Sequence, residues 1–247
     1  MFESYVALGD SFTEGLEDVQ ADGSHRGWAD ILAANLARQN PRFRYANLAI
    51  RGRRLAHVAA QQVPPALRMN PDLVTIAAGG NDVIRLHCDV DALGRLMHRT
   101  LERLAGSGAQ VVVFAGFDPR TRIPLSRIPA ERARRYNEYV RSSARQFGAT
   151  LVDMWRMPGL YDDIMWAPDR LHLSSHGHCL VAAHVMEDLG VDGEVPELLP
   201  GRPTQTGLPH DLRWGVEHFA PWVYRHARGI SSGDGVSAKR PDLTPVE

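Results

Sequence analysis

The sequence predicts an α/β protein built on one doubly wound parallel sheet of about five strands. Short apolar runs alternate along the chain with amphipathic helical patterns, and such alternation is typical of βαβ units. The runs are short and rich in β-branched or apolar residues, as expected of strands in a parallel sheet that is covered on both faces. A length of 247 residues is sufficient for one large core.

Five runs are predicted to be strands: Tyr5–Leu8, Phe43–Leu48, Leu73–Ala77, Gln110–Ala115 and Thr150–Val152. Three segments between them repeat apolar residues at spacings of three and four, which is the helical period. Their faces comprise Trp28, Ile31, Leu32 and Leu36; Leu93, Met97, Leu101 and Leu104; and Ala133, Tyr136, Val140, Ala144 and Phe147. Because ligands bind beyond the carboxyl ends of the strands in such sheets, the residues that follow each strand are candidate site residues.

The C-terminal part of the chain has a different composition. The sheet domain is predicted to cover residues 1–193, and residues 194–228 are expected to form an extension that packs on it. Within this extension, Leu212, Val216, Phe219, Trp222 and Val223 share roughly one helical face. Residues 229–247 are rich in Ser, Gly, Asp, Lys and Pro and are predicted to form a mobile tail.

Composition and charge exclude several classes of protein. A formal net charge of −1 argues against binding nucleic acid or membrane surfaces through bulk charge. No apolar run is long enough for a membrane span, and no signal-peptide pattern precedes the first strand, so the expected location is the cytoplasm. Cys88 and Cys179 are too few for a disulfide framework and are interpreted as buried or semi-buried thiols.

A serine lies directly after the first predicted strand. Gly9-Asp10-Ser11 follows that strand, so Ser11 is predicted to lie at the edge of the sheet. Serine is a weak nucleophile until a neighbouring base activates it. Asp169-Arg170-Leu171-His172, far downstream, contains a carboxylate and an imidazole that are suited to that task. The pair makes the chain a candidate serine hydrolase.

Four separated segments together resemble one known family. Gly9-Asp10-Ser11, the stretch from Asn47 to Gly52, Gly79-Gly80-Asn81-Asp82 and Asp169-Arg170-Leu171-His172 are similar to the four signature blocks of the SGNH (GDSL-type) esterases and lipases, in the same order. The resemblance spans about residues 1 to 190. It implies a three-layer α/β/α, flavodoxin-like fold, in agreement with the alternation of strands and helices.

The resemblance also implies a role for each site residue. Ser11 would attack an ester carbonyl, His172 would act as general base, and Asp169 would orient the imidazole. The oxyanion hole would be formed by the backbone N–H groups of Ser11 and Gly52 and by the side-chain amide of Asn81. The substrate would be a small-molecule ester, and the chemistry would require neither a metal nor an organic cofactor.

Two arginine-rich segments depart from the family pattern. Arg51, Arg53 and Arg54 flank Gly52, and Arg120 belongs to an arginine-rich segment after the fourth strand. One interpretation is that these are ordinary solvated charges. The alternative is a basic rim, with Arg51, Arg53 and Arg120 as candidate substrate-binding residues for esters that carry a carboxylate or a phosphate.

Several alternatives remain open or are disfavoured. An acyltransferase would use the same site with an alcohol in place of water, and a non-catalytic binding module would retain only the fold. A flavin or nucleotide binder is disfavoured because the first turn lacks a glycine-rich phosphate cradle.

The Gly229–Gly233 segment matches the G-x-S-x-G pattern, but no strand precedes it and no helix follows it. His176 and His178 would point to different sides of a helix, which disfavours a shared zinc ion. The sequence does not predict an oligomeric state.

Overall fold

A six-stranded sheet forms the centre of the computed structural model, which describes residues 1–85, 87–123, 126–201, 203, 207–221 and 231–246. The first five strands are parallel, and the sixth is antiparallel to β2. The predicted α/β fold is confirmed, with one more strand than expected. The strands are β1 (Ser4–Gly9), β2 (Arg44–Asn47), β3 (Leu73–Ala77), β4 (Gln110–Ala115), β5 (Thr150–Asp153) and β6 (Arg240–Pro245).

Helices connect consecutive parallel strands and cover both faces of the sheet. The α-helices are α1 (Ser11–Glu14), α2 (Gly27–Gln39), α3 (Leu55–His57), α4 (Val63–Met69), α5 (Gly80–Val83), α6 (Val90–Ala105), α7 (Arg127–Phe147), α8 (Ser175–Leu189) and α9 (Leu208–Trp214). A π-helical segment, Val58–Gln62, joins α3 to α4, and another, Gly215–Phe219, follows α9. Short 3-10 turns occur at Pro119–Thr121 and Asp163–Met165.

Two apolar cores lie on opposite faces of the sheet. Successive strand residues point to opposite faces, so Tyr5 and Ala7 pack with α2 and α8, whereas Val6 and Leu8 pack with α3, α4, α6 and α7. Trp28 of α2 and Met97 of α6 are fully buried, one in each core. The helical faces predicted from the spacing of apolar residues are therefore the faces that cover the sheet.

The strand order places the ends of β1 and β3 side by side. The order is β5-β4-β3-β1-β2-β6, and its first five strands follow the flavodoxin-like arrangement. Gly9 at the end of β1 is paired with Ala77 at the end of β3, and Ala7 is paired with Asn47 at the end of β2. The chain changes direction across the sheet at this point, which is where doubly wound proteins bind ligands.

The C-terminal residues 231–246 differ from the predicted mobile tail. Residues 240–245 form β6, which pairs with the edge strand β2, and Lys239 binds four oxygen atoms of the domain. The composition of this segment is polar because it is attached by main-chain pairing and charged side chains rather than by apolar burial. A prediction based on apolar content does not detect this kind of attachment.

The described part of α9 contacts the domain through polar groups, and the described residues of the predicted apolar face are largely exposed. Asp211 of α9 pairs with Arg170 at 2.6 Å, and the Trp214 indole N–H donates to the Asp169 carbonyl at 2.8 Å. In contrast, Leu212, Val216 and Phe219 are 66%, 73% and 46% exposed. Trp222 and Val223, the rest of that predicted face, lie outside the described residues.

Two other sequence predictions concern cysteines and membranes. Cys179 is buried and Cys88 is half-buried, and both are free thiols, as predicted. None of the helices in the described part of the chain has the length and apolar character needed to cross a bilayer. Cytoplasmic location stays a prediction.

Candidate active site

The turn after β1 holds Ser11 at the start of α1. Gly9 adopts a φ of +155°, and a β-carbon there would lie 2.5 Å from the Ala77 carbonyl oxygen, so glycine permits the close approach of β1 and β3. Gln62 bonds the Gly9 backbone twice: its side-chain oxygen accepts from the N–H at 2.8 Å, and its amide donates to the carbonyl at 2.9 Å. Gln62 is buried, and its two hydrogen bonds hold the backbone of the turn in place.

Ser11, His172 and Asp169 form a continuous hydrogen-bonded row. The Ser11 hydroxyl lies 2.9 Å from Nε2 of His172, and Nδ1 of His172 lies 2.5 Å from a carboxylate oxygen of Asp169. The other carboxylate oxygen of Asp169 accepts from the backbone N–H groups of Leu171 and His172, both at 3.0 Å. The carboxylate thus requires the proton of the imidazole on Nδ1, which leaves Nε2 as an acceptor for the serine.

The electrostatics of this row fit a neutral histidine beside an ionised aspartate. Burial alone would raise the pKa of Asp169, but hydrogen bonds from His172 and from the backbone outweigh it and lower this pKa to about 2. Burial alone would lower the pKa of His172, but the hydrogen bond and charge of Asp169 raise it above its usual value. The pair therefore strengthens His172 as a base.

The loop that carries Asp169 and His172 is a tight turn with its own support. The His172 carbonyl accepts from the Ala167 N–H at 2.9 Å, and Arg170 sits between the two catalytic candidates with a φ of +62°. The left-handed region is uncommon for residues other than glycine. The side chain of Arg170 is buried and paired with Asp211, and its guanidinium lies 5.5 Å from the centre of the Trp214 ring. Residues of the α9 helix, Asp211 and Trp214, therefore hold the turn that carries Asp169 and His172.

Gly52 lies at the tip of the loop that follows β2. Its φ of +70° is in the left-handed region, where glycine carries no steric penalty. The loop is closed by a hydrogen bond from the Arg53 N–H to the Ile50 carbonyl at 3.3 Å. Within the described part of the chain, no hydrogen bond of at most 3.5 Å engages the backbone N–H of Ser11 or of Gly52. Both donors are therefore available to a ligand.

Asn81, at the end of the loop after β3, is oriented by two acceptors. Its amide donates to the Asp10 carboxylate at 2.9 Å and to the Arg53 carbonyl at 3.1 Å. The other oxygen of Asp10 accepts from the Phe12 N–H at 3.2 Å and so caps α1. Burial raises the pKa of Asp10 to about 6, although the Phe12 and Asn81 hydrogen bonds and the nearby His172 oppose this shift. Asp10 thus links the serine turn to the Asn81 amide.

An apolar pocket opens beside Ser11. Its volume is about 160 Å³, and Ser11, Asn81 and His172 all contribute to its wall. The ends of β3, β4 and β5 form the wall with Ala77, Phe114 and Met154, and the aromatic rings of Phe117 and Trp166 pack 4.5 Å apart. The candidate reactive groups therefore face a space that favours an apolar ligand.

Each of the three arginines predicted to form a basic rim has a carboxylate partner. These contacts place an acidic group beside each of these three cations. The prediction that these residues bind anionic substrates remains to be tested. The pairs are Arg51 with Glu14, in which the Arg51 Nε donates at 2.9 Å; Arg53 with Asp234 at 3.8 Å; and Arg120 with Asp118 at 2.5 Å.

His178 is a buried structural residue. Its Nδ1 accepts from the Trp28 N–H at 3.2 Å, and its Nε2 lies 3.0 Å from the Leu16 carbonyl. Burial lowers its pKa to about 4, which keeps the ring neutral. Both ring nitrogens are occupied by protein groups, in agreement with the interpretation that His176 and His178 do not share a metal. Across the described residues, no group of three or more histidine, cysteine or acidic side chains is arranged to hold a metal ion.

Sequence reasoning did not find Gln62, Asp10 and Glu14 as supports of the site. Gln62 lies in the π-helical segment, far from any signature block, and nothing in its local sequence indicates a contact with Gly9. Glu14 is buried and holds the backbone N–H of Arg51, next to Gly52, at 2.7 Å. An acidic residue at a buried helical position is the only signal that would have pointed to it.

Comparisons with known proteins identify the family and the fold of this chain. The model of the GDSL-like Lipase/Acylhydrolase family matches residues 7–180. The hydrolase LAE5, from the metagenome of Lake Arreo, Spain, is 22% identical, with a TM-score of 0.64 over 76% of this chain and 95% of that chain. The acetylxylan esterase Axe2 from Geobacillus stearothermophilus is 18% identical, with a TM-score of 0.63 over 77% of this chain and 95% of that chain.

Three further structures of Axe2 are of catalytic mutants, at a serine, an aspartate and a histidine. No curated protein sequence matches the chain. At these identities the solved structures establish the fold, whereas the family model covers more than half of the chain, from within β1 to the first turns of α8. The chain belongs to the GDSL-like Lipase/Acylhydrolase family and is a carboxylic ester hydrolase.

Proposed function

We propose that this protein hydrolyses carboxylic esters through an acyl-enzyme on Ser11, with His172 as general base and Asp169 as the orienting carboxylate. The observation that carries the proposal is the unbroken row of hydrogen bonds from Ser11 through His172 to Asp169, at the mouth of an apolar pocket. In Axe2, a serine, an aspartate and a histidine are the sites of catalytic mutants. The same three residue types meet here.

The first half of the reaction forms the acyl-enzyme. The Ser11 oxygen attacks the ester carbonyl while Nε2 of His172 accepts the hydroxyl proton. The bond between the carbonyl carbon and the alcohol oxygen then breaks, and His172 returns the proton to the departing alcohol. Asp169 stabilises the imidazolium that forms between these steps.

The second half of the reaction repeats these steps with water in place of the serine hydroxyl. His172 takes a proton from water, the resulting hydroxide attacks the acyl carbon, and the proton returns to Ser11 as the carboxylic acid leaves. In both halves the carbonyl oxygen becomes negative. Among the described residues, no hydrogen bond occupies the backbone N–H groups of Ser11 and Gly52, which are therefore suited to stabilise it. The Asn81 amide would join them by exchanging its bond to Asp10 or to Arg53 for one to this oxygen, because those two bonds use both of its hydrogens. Removing one such donor typically costs roughly 3 to 4 kcal/mol of transition-state stabilisation.

The pocket supports an apolar acyl group of about six carbon atoms as the preferred substrate. An apolar cavity of about 150 Å³ in another protein is large enough for benzene, and the pocket here has a volume of about 160 Å³. The acyl group stays attached to Ser11 while the alcohol leaves and water enters. A recess between the strand ends is therefore better suited to the acyl group than to the alcohol.

Hydrolysis of p-nitrophenyl esters from acetate to palmitate tests both parts of this proposal. We expect kcat/KM to be highest near hexanoate and to be lost in Ser11→Ala, while Ser237→Ala, an exposed serine, retains it. Equal activity of wild type and Ser11→Ala would contradict the mechanism. A maximum at acetate would contradict the assignment of the pocket, since a two-carbon group leaves most of it empty.

A matched pair of pocket variants separates the acyl group from the alcohol. Phe117→Ala enlarges the pocket and should move the preferred acyl chain to a longer one, because the aromatic ring forms part of its wall. With the acyl group held constant and the alcohol lengthened instead, the same variant should show no change in preference. A shift that follows the alcohol would place the alcohol in the pocket.

The acyltransferase alternative uses the same acyl-enzyme. Hydrolysis and acyl transfer differ in what attacks the acyl-enzyme. An acyltransferase must bind an acceptor alcohol beside Ser11 in preference to water. Adding a primary alcohol during hydrolysis measures the ratio of transferred to hydrolysed product. We expect hydrolysis to predominate at low alcohol concentrations, because water is then in large excess over the alcohol.

A further inference from the structure

A turn near the C-terminus lies directly against the loop that carries Gly52. We call residues Ser231–Asp234 the C-terminal turn. A β-carbon on Gly52 would lie 2.6 Å from the Ser231 hydroxyl and 2.7 Å from the Ser232 hydroxyl. A β-carbon on Gly233 would lie 2.1 Å from the Arg51 carbonyl oxygen. The backbone of Gly233 therefore approaches that of Arg51 so closely that glycine is required there, and the Ser231 and Ser232 hydroxyls fill the space beside Gly52.

The C-terminal turn has a defined internal structure. The Ser231 N–H donates to the Asp234 carboxylate at 2.9 Å, and the Asp234 N–H returns a bond to the Ser231 carbonyl at 3.1 Å. The Gly233 N–H donates to the Ser231 hydroxyl at 3.2 Å. Such reciprocal bonds fix a turn locally, so the turn can act as a firm support for a neighbouring loop.

Polar contacts join the C-terminal turn to the Gly52 loop. The Ser231 hydroxyl donates to the Gly52 carbonyl at 3.4 Å, and the Arg53 guanidinium donates to the Gly233 carbonyl at 3.4 Å. Arg53 also lies 3.8 Å from the Asp234 carboxylate. Since the Arg53 carbonyl accepts from Asn81, these contacts reach both the Gly52 and the Asn81 sides of the site.

Lys239 anchors the same segment to the serine turn. Its ammonium group donates to the backbone carbonyls of Glu14, His25 and Arg26 and to the Asp30 carboxylate, at 2.6 to 2.9 Å. Glu14 in turn accepts from the Arg51 N–H, which precedes Gly52. One lysine thus ties the C-terminal segment to α1, and α1 to the Gly52 loop. The β6 strand, which follows directly, continues this attachment along β2.

We propose that the C-terminal turn is a positioning element of the oxyanion hole, which holds Gly52 so that its backbone N–H points at the reacting carbonyl oxygen. The proposal rests on the proposed function, since it assigns a task to the Gly52 N–H. A loop with a left-handed glycine at its tip has many alternative conformations in isolation. The contacts from Ser231 and Gly233 to Gly52 and Arg53 restrict the conformations open to this loop. Misplacing a catalytic group by about 1 Å costs up to roughly 100-fold in rate.

The test is Gly233→Val in the full chain, compared with Gly215→Val. Gly215 lies in the same C-terminal region, and a β-carbon there meets no atom within 4 Å. We expect Gly233→Val to lower kcat by about 10- to 100-fold with KM changed by less than about threefold, because the lost interaction forms mainly in the transition state. Gly215→Val should retain wild-type kcat.

A second readout separates positioning from general stability. An alkylboronic acid forms an anionic tetrahedral adduct on the serine and therefore depends on the same donors. Its inhibition constant should rise in Gly233→Val by the factor by which kcat falls, in protein whose circular dichroism and thermal unfolding show a folded state. If Gly233→Val does not fold, Ser231→Ala, which removes only the hydroxyl contacts, should give a smaller change in the same two quantities.

Folded Gly233→Val or Ser231→Ala with kcat and boronate inhibition within about twofold of wild type would overturn the proposal. An effect confined to KM would also overturn it, since it would make the turn part of substrate binding. Failure of the proposed function has a different signature, because Ser11→Ala would then retain activity whatever the C-terminal variants do.

Discussion

The two turns that meet at Ser11 are stabilised over very different lengths of chain. The Asp169 carboxylate receives its three hydrogen bonds from residues at most three positions away. The Gly52 loop is held by Glu14, Asn81 and Gly233, whose partners lie 37, 28 and 180 positions away in the sequence. The Asp169 carboxylate of the proposed base is thus oriented from within its own turn, and only the other groups of that turn contact α9, 41 and 45 positions away. The proposed oxyanion side depends on distant segments at every one of these contacts. Substitutions should affect the first through chemistry and the second through position.

The largest effect is expected on the local turn. Asp169→Asn should lower kcat by about 10⁴-fold, because the amide no longer holds the tautomer in which Nε2 of His172 accepts the serine proton. Steady-state kinetics on the best p-nitrophenyl ester measures this. Asp162→Asn, an exposed carboxylate in the preceding loop, is the matched control and should leave kcat unchanged. A loss below about tenfold in Asp169→Asn would show that the carboxylate is dispensable.

A smaller effect is expected on the distant supports. Glu14→Gln removes the carboxylate that holds both the backbone N–H and the guanidinium of Arg51, so Gly52 loses one of its anchors. We expect kcat to fall by about 10- to 100-fold while the affinity for substrate changes little. Glu3→Gln, at an exposed position, serves as control. Unchanged kcat in folded Glu14→Gln would mean that the Gly52 loop keeps its conformation without this contact.

This contrast also explains what the sequence can predict. The positions of Ser11, Asp169 and His172 follow from a strand end and a short downstream spacing, and the fold follows from the order of apolar runs. The resemblance to a family supplied Gly52 and Asn81. Gln62 and Lys239 were not predicted, because each acts through contacts whose partners are defined only by the folded chain.

β6 was missed for a related reason. Its residues are polar, and it attaches to an edge strand through main-chain pairing, to which apolar periodicity is insensitive. The predicted basic rim was visible in the sequence, but the partners of its charges were not. The sequence displays the charges of Arg51, Arg53 and Arg120 but does not show that Glu14, Asp234 and Asp118 lie beside them.

The pH dependence offers a test of both turns in the wild-type protein. His172 must be neutral to act as base, and Asp169 raises the pKa of His172 above 6.5, so kcat/KM should rise with pH through a value above 6.5. Burial raises the pKa of Asp10 to about 6, and only its ionised carboxylate accepts fully from the Asn81 amide. The fall of kcat/KM with decreasing pH should therefore become steeper below about pH 6. Rates measured with an uncharged ester, within the pH range where the fold is retained, give this profile. A limb that lies wholly below 6.5 would contradict the assignment of His172.

The smallest effect concerns salt. Because each rim arginine has an acidic partner, we expect an ester with a terminal carboxylate and a neutral ester of equal length to respond alike, within about twofold, from about 0.05 to 0.5 M salt. Measured kcat/KM ratios check this. A steep loss for the charged ester alone would restore the hypothesis that Arg51, Arg53 and Arg120 bind anionic substrates.

The proposed nucleophile can be identified by covalent modification with a phosphonate ester, which reacts with an activated serine and does not come off in water. Mass spectrometry of the intact protein and of its peptides identifies the modified residue. We expect one adduct per chain, on Ser11, that is absent from Ser11→Ala and formed much more slowly in Asp169→Asn. An adduct on another residue, or equal labelling of wild type and Ser11→Ala, would contradict it.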